Sequence, residues 1–160
     1  LPAAMVLDAK YDVLAWNPLA AALLEDFSAH PRRDRNIIRR YFLGDPYRIT
    51  SEGDFGRFAA GHLRTVAARY PHDPATQELI RDLLRLSPEF AALWPDAELP
   101  DQRHLVKTVD HPQIGPITLT CDILLVPEQD QHVVLFTAEP GTPAHDAMRL
   151  LSVVGLQQMT

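Results

Sequence analysis

The side chains able to do chemistry in this sequence form two groups. Arg32, Arg33, Arg35, Arg39 and Arg40 fall within nine residues, offset only by Asp34 and interrupted by Asn36. Guanidinium forks match a carboxylate or phosphate, and a helix start offers unpaired N–H groups, so this stretch could hold an anion. The plainer reading is a solvated basic face. The second group centres on His62, which lies on the apolar face of the most regular helical stripe with Phe58 and Arg64 in register. One hydrogen bond satisfies a buried imidazole, so a core histidine is the simpler reading beside that of a ligand contact. Asn36, Arg40, His62 and Arg64 are the candidate polar anchors.

Catalytic and metal chemistry find little support. The seven His, at positions 30, 62, 72, 104, 111, 132 and 145, include no i, i+4 pair and no HExxH. His104 and His111, seven apart on one strand, point to opposite faces. No metal site is expected. There is no GxSxG, GxGxxG or GxxxxGK[ST]. Cys121, the sole cysteine, sits at an inward strand position and reads as a small hydrophobe, and it leaves no intrachain disulfide. Asp34, Asp54 and Asp73 stand where helices begin and are explained as caps. Neither an enzyme nor a cofactor is expected.

The elements that must position these groups follow from periodicity and punctuation. Residues 5–9 and 12–16 read as two short strands joined through Lys10-Tyr11. Asn17-Pro18 then opens a helix carrying Leu19, Leu23, Leu24 and Phe27. Asp34 is positioned to cap a second, short helix with Ile37, Ile38, Tyr41 and Phe42 inward, stopped by Gly44-Asp45-Pro46. From Asp54, the residues Phe55, Phe58, Ala59, His62, Leu63, Val66, Ala67 and Tyr70 make the clearest amphipathic helix, ended by Pro71. Asp73-Pro74 starts another with Leu79, Ile80, Leu83 and Leu84 buried, and Ser87-Pro88 a turn with Phe90, Leu93 and Trp94. The period then changes: residues 105–111, 117–125 and 132–138 read as strands, with Ile117, Leu119, Cys121, Ile123 and Leu125 facing inward. A last helix turns Ala147, Leu150 and Leu151 inward.

This order, two strands, a helical middle, three strands and a helix, predicts an α+β domain over residues 1–160, with a five-stranded antiparallel sheet covered by helices on one face. Composition agrees: 46% hydrophobic and 22% charged residues describe a chain that folds. A net charge of −6 does not suit a polyanion partner, so the segment alone is not expected to bind DNA. No apolar run approaches a membrane span, and a single cysteine suits the cytoplasm. The start at Leu1-Pro2 shows neither an initiator Met nor a secretory signal and reads as a trimmed end. Phe42, Phe58, Val66, Trp94, Leu119, Cys121, Ile123 and Phe136 can fill the space between sheet and helices, or line a hollow left there.

Several ordered blocks together resemble a known family. They are Asp12-Val13-Leu14-Ala15-Trp16-Asn17-Pro18, Arg35-Asn36, Phe42-Leu43-Gly44-Asp45-Pro46, Leu63-Arg64, Ser87-Pro88-Glu89-Phe90-Ala91-Ala92-Leu93-Trp94, His111-Pro112 with Gly115 and Leu119, and Pro140-Gly141. Over nearly the whole chain this resembles the MmyB-like ligand-binding domain of bacterial transcription regulators. The resemblance implies a PAS-like arrangement of the sheet and an XRE-type helix-turn-helix upstream, through which DNA would be bound. It also implies a fatty acid or similar apolar small molecule as ligand. The segment from Ala144 to Gly155 offers more apolar surface than one helix face needs, so a homodimer, with or without ligand, is the rival expectation.

Overall fold

The computed structural model describes residues 2–44, 49–51, 55–98 and 104–158. The five expected strands all form: β1 (Ala3–Leu7), β2 (Val13–Trp16), β4 (His104–His111), β5 (Gly115–Val126) and β6 (Gln131–Thr137). A sixth, β3 (Ile49–Ser51), joins them at an edge; three residues are too few to show a period in the sequence. All neighbours are antiparallel, and the sheet runs β2-β1-β6-β5-β4-β3. The N-terminal hairpin is therefore docked against the last strand, giving the PAS-like α+β architecture.

The helices are α1 (Pro18–Leu23), α2 (Ile37–Leu43), α3 (Phe55–Arg69), α4 (Pro74–Leu86), α5 (Pro88–Leu93) and α6 (Pro143–Gln158). Their boundaries follow the punctuation. Asn17, Asp73 and Ser87 each accept a hydrogen bond from the backbone N–H three residues on, with Pro18, Pro74 and Pro88 in the first turn. The cap of α2 is Asn36, not Asp34: Asp34 closes a 3-10 turn (Arg32–Asp34), and the Asn36 side chain takes the Arg39 N–H at 2.8 Å. The expected Asp54 cap lies outside the described residues.

Registers fix which face each strand buries. Leu119 opposes Lys107, Cys121 opposes Phe136, and Ala3, Met5 and Leu7 oppose Phe136, Val134 and His132. Ile117, Leu119, Cys121, Val109, Val134 and Phe136 are buried on that inner face, whereas Val106, Thr118 and Leu124 on the other are exposed. The inward alternation of β5 ends at partly buried Ile123. Leu125, expected inside, is 57% exposed because the strand runs on past the helical cover. Leu84 and Leu150, expected inside, are also exposed; α6 buries Leu151 as expected and, besides it, Met148.

The hairpin turn is built by Asp8 rather than by the two residues at its tip. Its carboxylate accepts from the N–H groups of Lys10 and Asp12, at 3.1 and 2.8 Å. Tyr11 takes φ +73° and is buried, so the left-handed backbone there turns a large ring inward.

Candidate functional site

Helix α3 reaches the sheet and its turns at three places along its length. At its start the Phe55 ring lies 5.3 Å from the Lys107 ammonium of β4. Two turns on, His62 Nε2–H donates to the Ala9 carbonyl at 2.6 Å, and at its end Arg69 pairs at 2.9 Å with Asp130 of the β5–β6 turn. Of the expected stripe, Phe58, Ala59, His62, Leu63 and Val66 are buried, Phe55 and Ala67 are partly buried, and Tyr70, just past the last turn, is exposed.

Along this helix runs a chain of rings. Trp94 stacks on Phe90, Phe90 meets Phe42 edge to face at 5.1 Å, and Phe42 meets Tyr41 at 4.9 Å. Tyr41 continues to Phe55 at 5.0 Å, Phe55 to Phe58 at 6.1 Å, and Phe58 to His62 at 5.8 Å. Tyr11 closes over His62 at 4.5 Å, with His132 of β6 at 5.5 Å from His62. Such offset and edge contacts suit the ring quadrupoles. Gly56 lets α3 come this close, since a Cβ there would stand 2.9 Å from Glu89 Oε1 and 3.1 Å from a Tyr41 ring carbon.

Three of the five clustered arginines, Arg33, Arg39 and Arg40, already pair with carboxylates. Asp82 of α4, itself buried, accepts from Arg39 at 2.8 Å and Arg33 at 3.0 Å. The bond from Arg39 leads the effects that hold the Asp82 carboxyl below its usual range. Arg40 pairs with Glu25 at 2.7 Å, and Arg35 donates to the His30 carbonyl and lies over the Trp16 ring. These bonds clamp α2 to α4 and to the end of α1. The sequence could not show them, since the acids lie as far as 49 residues away.

Two of the four candidate anchors, Asn36 and His62, bond the adjacent Lys10 and Ala9 carbonyls of the hairpin turn, while Arg40 and Arg64 serve other partners. Asn36 is buried with its polar atoms engaged: besides capping α2 it donates to the Lys10 carbonyl and to Asp12 Oδ1, both at 2.8 Å. Arg40 serves Glu25. Arg64 is exposed, donating to the Trp94 carbonyl and lying 5.2 Å from that ring. His62 alone faces the interior, and burial lowers its imidazole to about 4, so it is neutral at pH 7. Of the apolar candidates, Phe58, Val66, Leu119, Cys121 and Phe136 are buried, while Phe42, Trp94 and Ile123 are partly buried. Burial also raises the Cys121 thiol, which keeps it an inert core group.

One interior group was missed. Lys107 is, among the described residues, the one lysine or arginine on the inner face of the sheet. Among the described residues it has no ion-pair or hydrogen-bond partner, and burial pulls its ammonium below the ordinary value of 10.5. The signal was present in the alternation of β4, where Lys107 shares parity with Val109 and His111 and sits two residues from each neighbour on its face.

A family model for the MmyB-like transcription regulator ligand binding domain matches residues 2–151. The chain belongs to that family. Comparison with curated proteins gave no match. A half-open cavity of about 290 Å³ lies between the ends of β1 and β6 and helices α1 and α6, lined by Leu19, Phe136, Met148 and Arg149 among others. Of the candidate residues, Phe136 borders it. Among the described residues no three His, Cys, Asp or Glu side chains gather to hold a metal, and no helix is long and apolar enough to cross a membrane.

Proposed function

We propose that this MmyB-like domain senses an apolar small molecule, a long-chain fatty acid being the best fit, held between the inner sheet face and helices α2, α3 and α5. The observation that carries the reading is the run of rings from Trp94 to His62, which meets the sheet at Lys107 of β4 and His132 of β6, on the face where Leu119 and Cys121 are buried. Its β4 end, at Phe42, Phe55, Trp94 and Lys107, is only partly buried, and its far end is closed by Tyr11. A ligand enters at the partly buried end, and its tail takes the place of ring contacts that α3 otherwise makes. Phe55 to Val66 spans about 16 Å of helix, enough to line an alkyl chain. Each buried methylene contributes about 0.8 kcal/mol before ordering costs, so a tail of ~10 carbons binds without any charge pair. In the intact regulator, DNA is read by an upstream helix-turn-helix, and ligand occupancy here biases it.

Organic extraction of the purified protein followed by mass spectrometry tests the reading. It predicts a co-purifying long-chain acid, or a rise in Tm of the stripped protein on adding one. A protein that yields nothing and whose melting ignores added C12 to C18 acids would contradict it.

A second reading, a ligand-free pairing module, draws on α6, where Leu150 and Val153 are 54% and 56% exposed at i, i+3 spacing. Two copies packed through this stripe would cover it.

A further inference from the structure

The interior site described above carries two imidazoles, His62 and His132, at its closed end, and at its other end one ammonium. Lys107 stands on β4 opposite Leu119, with Ser51 of β3 as its partner on the other side, so its side chain projects to the inner face of the sheet. Its Nζ lies over the Phe55 ring at 5.3 Å. The Cys121 thiol is the titratable neighbour on the adjacent strand that acts on it, and burial holds that thiol protonated. Glu89, on α5 beside Gly56, takes the Tyr41 hydroxyl and makes no ion pair with Lys107. An ammonium in such surroundings costs free energy unless something of opposite charge joins it. A methionine or leucine would pack the same position at no such cost.

Resting on the ligand-sensing reading, we propose that Lys107 is the head-group anchor of the interior site. Its ammonium takes the carboxylate of an alkyl-chain acid whose tail runs from Phe55 toward His62. The domain therefore selects acids over alcohols and esters of the same chain length. The polarity of the site supports this direction of binding. The head meets the cation at the partly buried end, where water can still reach it. The tail lies toward the end closed by Tyr11, where His62 is neutral and bonded to Ala9. The partly filled π-face of Phe55 meanwhile holds the ammonium in place before ligand arrives.

Calorimetric titration of the delipidated chain with hexadecanoic acid and, separately, with 1-hexadecanol tests the assignment. The acid is expected to bind at least about tenfold more tightly, the size of one charge-assisted hydrogen bond. In Lys107→Met that preference disappears while the alcohol binds as before, and in Lys107→Arg it is retained. A readout independent of any variant is proton uptake. Because the carboxylate restores the lowered ammonium toward its ordinary value, the wild-type chain takes up protons on binding the acid in alkaline buffers, and none on binding the alcohol. Equal affinities for the two probes, or an acid preference that survives in Lys107→Met, would overturn the anchor and leave the apolar site standing. If neither probe binds the wild-type chain, the interior site falls and the anchor with it.

Discussion

His62 shows how one buried imidazole couples the hairpin to α3 and to pH. Its folded value of about 4 lies below the ordinary 6.5, so between these limits the unfolded chain binds more protons. Stability from this group is complete above about pH 6.5 and is lost as pH falls through 6.5 toward 4, amounting to about 3 kcal/mol. Denaturant melts of His62→Gln, which keeps a donor for the Ala9 carbonyl but cannot titrate, are expected to lose markedly less stability between pH 7 and pH 4 than wild type; equal losses would refute the assignment. Lys107 has the opposite consequence for the ligand-free chain. Lys107→Met removes a desolvated charge and is expected to raise stability by about 1 kcal/mol, read as a higher Tm. Its lowered pKa means that wild type regains part of this difference as pH rises toward 10.5. His62 was legible in the sequence because an imidazole on an apolar stripe stands out. Lys107 was overlooked because a lysine on a strand is read as solvent-facing until the register is known.

At the level of elements, capping residues carry more than helix starts. Asn17 accepts the N–H groups of Ala20 and Ala4, at 2.9 and 3.1 Å, and donates to the Pro2 carbonyl at 2.8 Å, so one amide joins α1 to β1. Asn36 does the same for α2 and the hairpin. Asn36→Ala removes a cap and two further bonds at a buried position and is expected to cost about 2–4 kcal/mol. Because α2 carries Phe42 of the ring chain, loosened packing there is expected to show in amide exchange of α2 before α3. The Asn17-Pro18, Asp73-Pro74 and Ser87-Pro88 starts were readable because cap and proline are local chemistry. The α2 start was misread by two residues because Asp34 and Asn36 are both competent caps. What separates them is the Asp12–Asn36 bridge to the hairpin, a contact across the fold. For the same reason the pairing of the arginine cluster was hidden: the sequence shows five cations together but not the Asp82 and Glu25 carboxylates that fold onto three of them.

For the whole molecule, strand spacing gave five antiparallel strands, but their order came from the family resemblance, since hairpin lengths cannot say that β1 docks beside β6. That docking places β5 and β6 in the middle of the sheet and leaves β4, with Lys107, near the edge closed by the short β3. The candidate site thus spans the sheet from a sealed corner to an approachable one, and no single element contains it. The exposed stripe on α6 makes a separate prediction. If copies pair through it, Leu150→Glu with Val153→Glu halves the mass seen by light scattering without changing ligand affinity; an unchanged mass would remove α6 from any interface.

Isotope-filtered NOEs between bound hexadecanoic acid and the labelled protein read directly where the ligand lies. Tail contacts are expected to Leu119, Ile123 and the Phe58 ring, with the carbons next to the carboxylate near Phe55 and Lys107. Contacts confined to Leu19, Met148 and the cavity between α1 and α6 would contradict it.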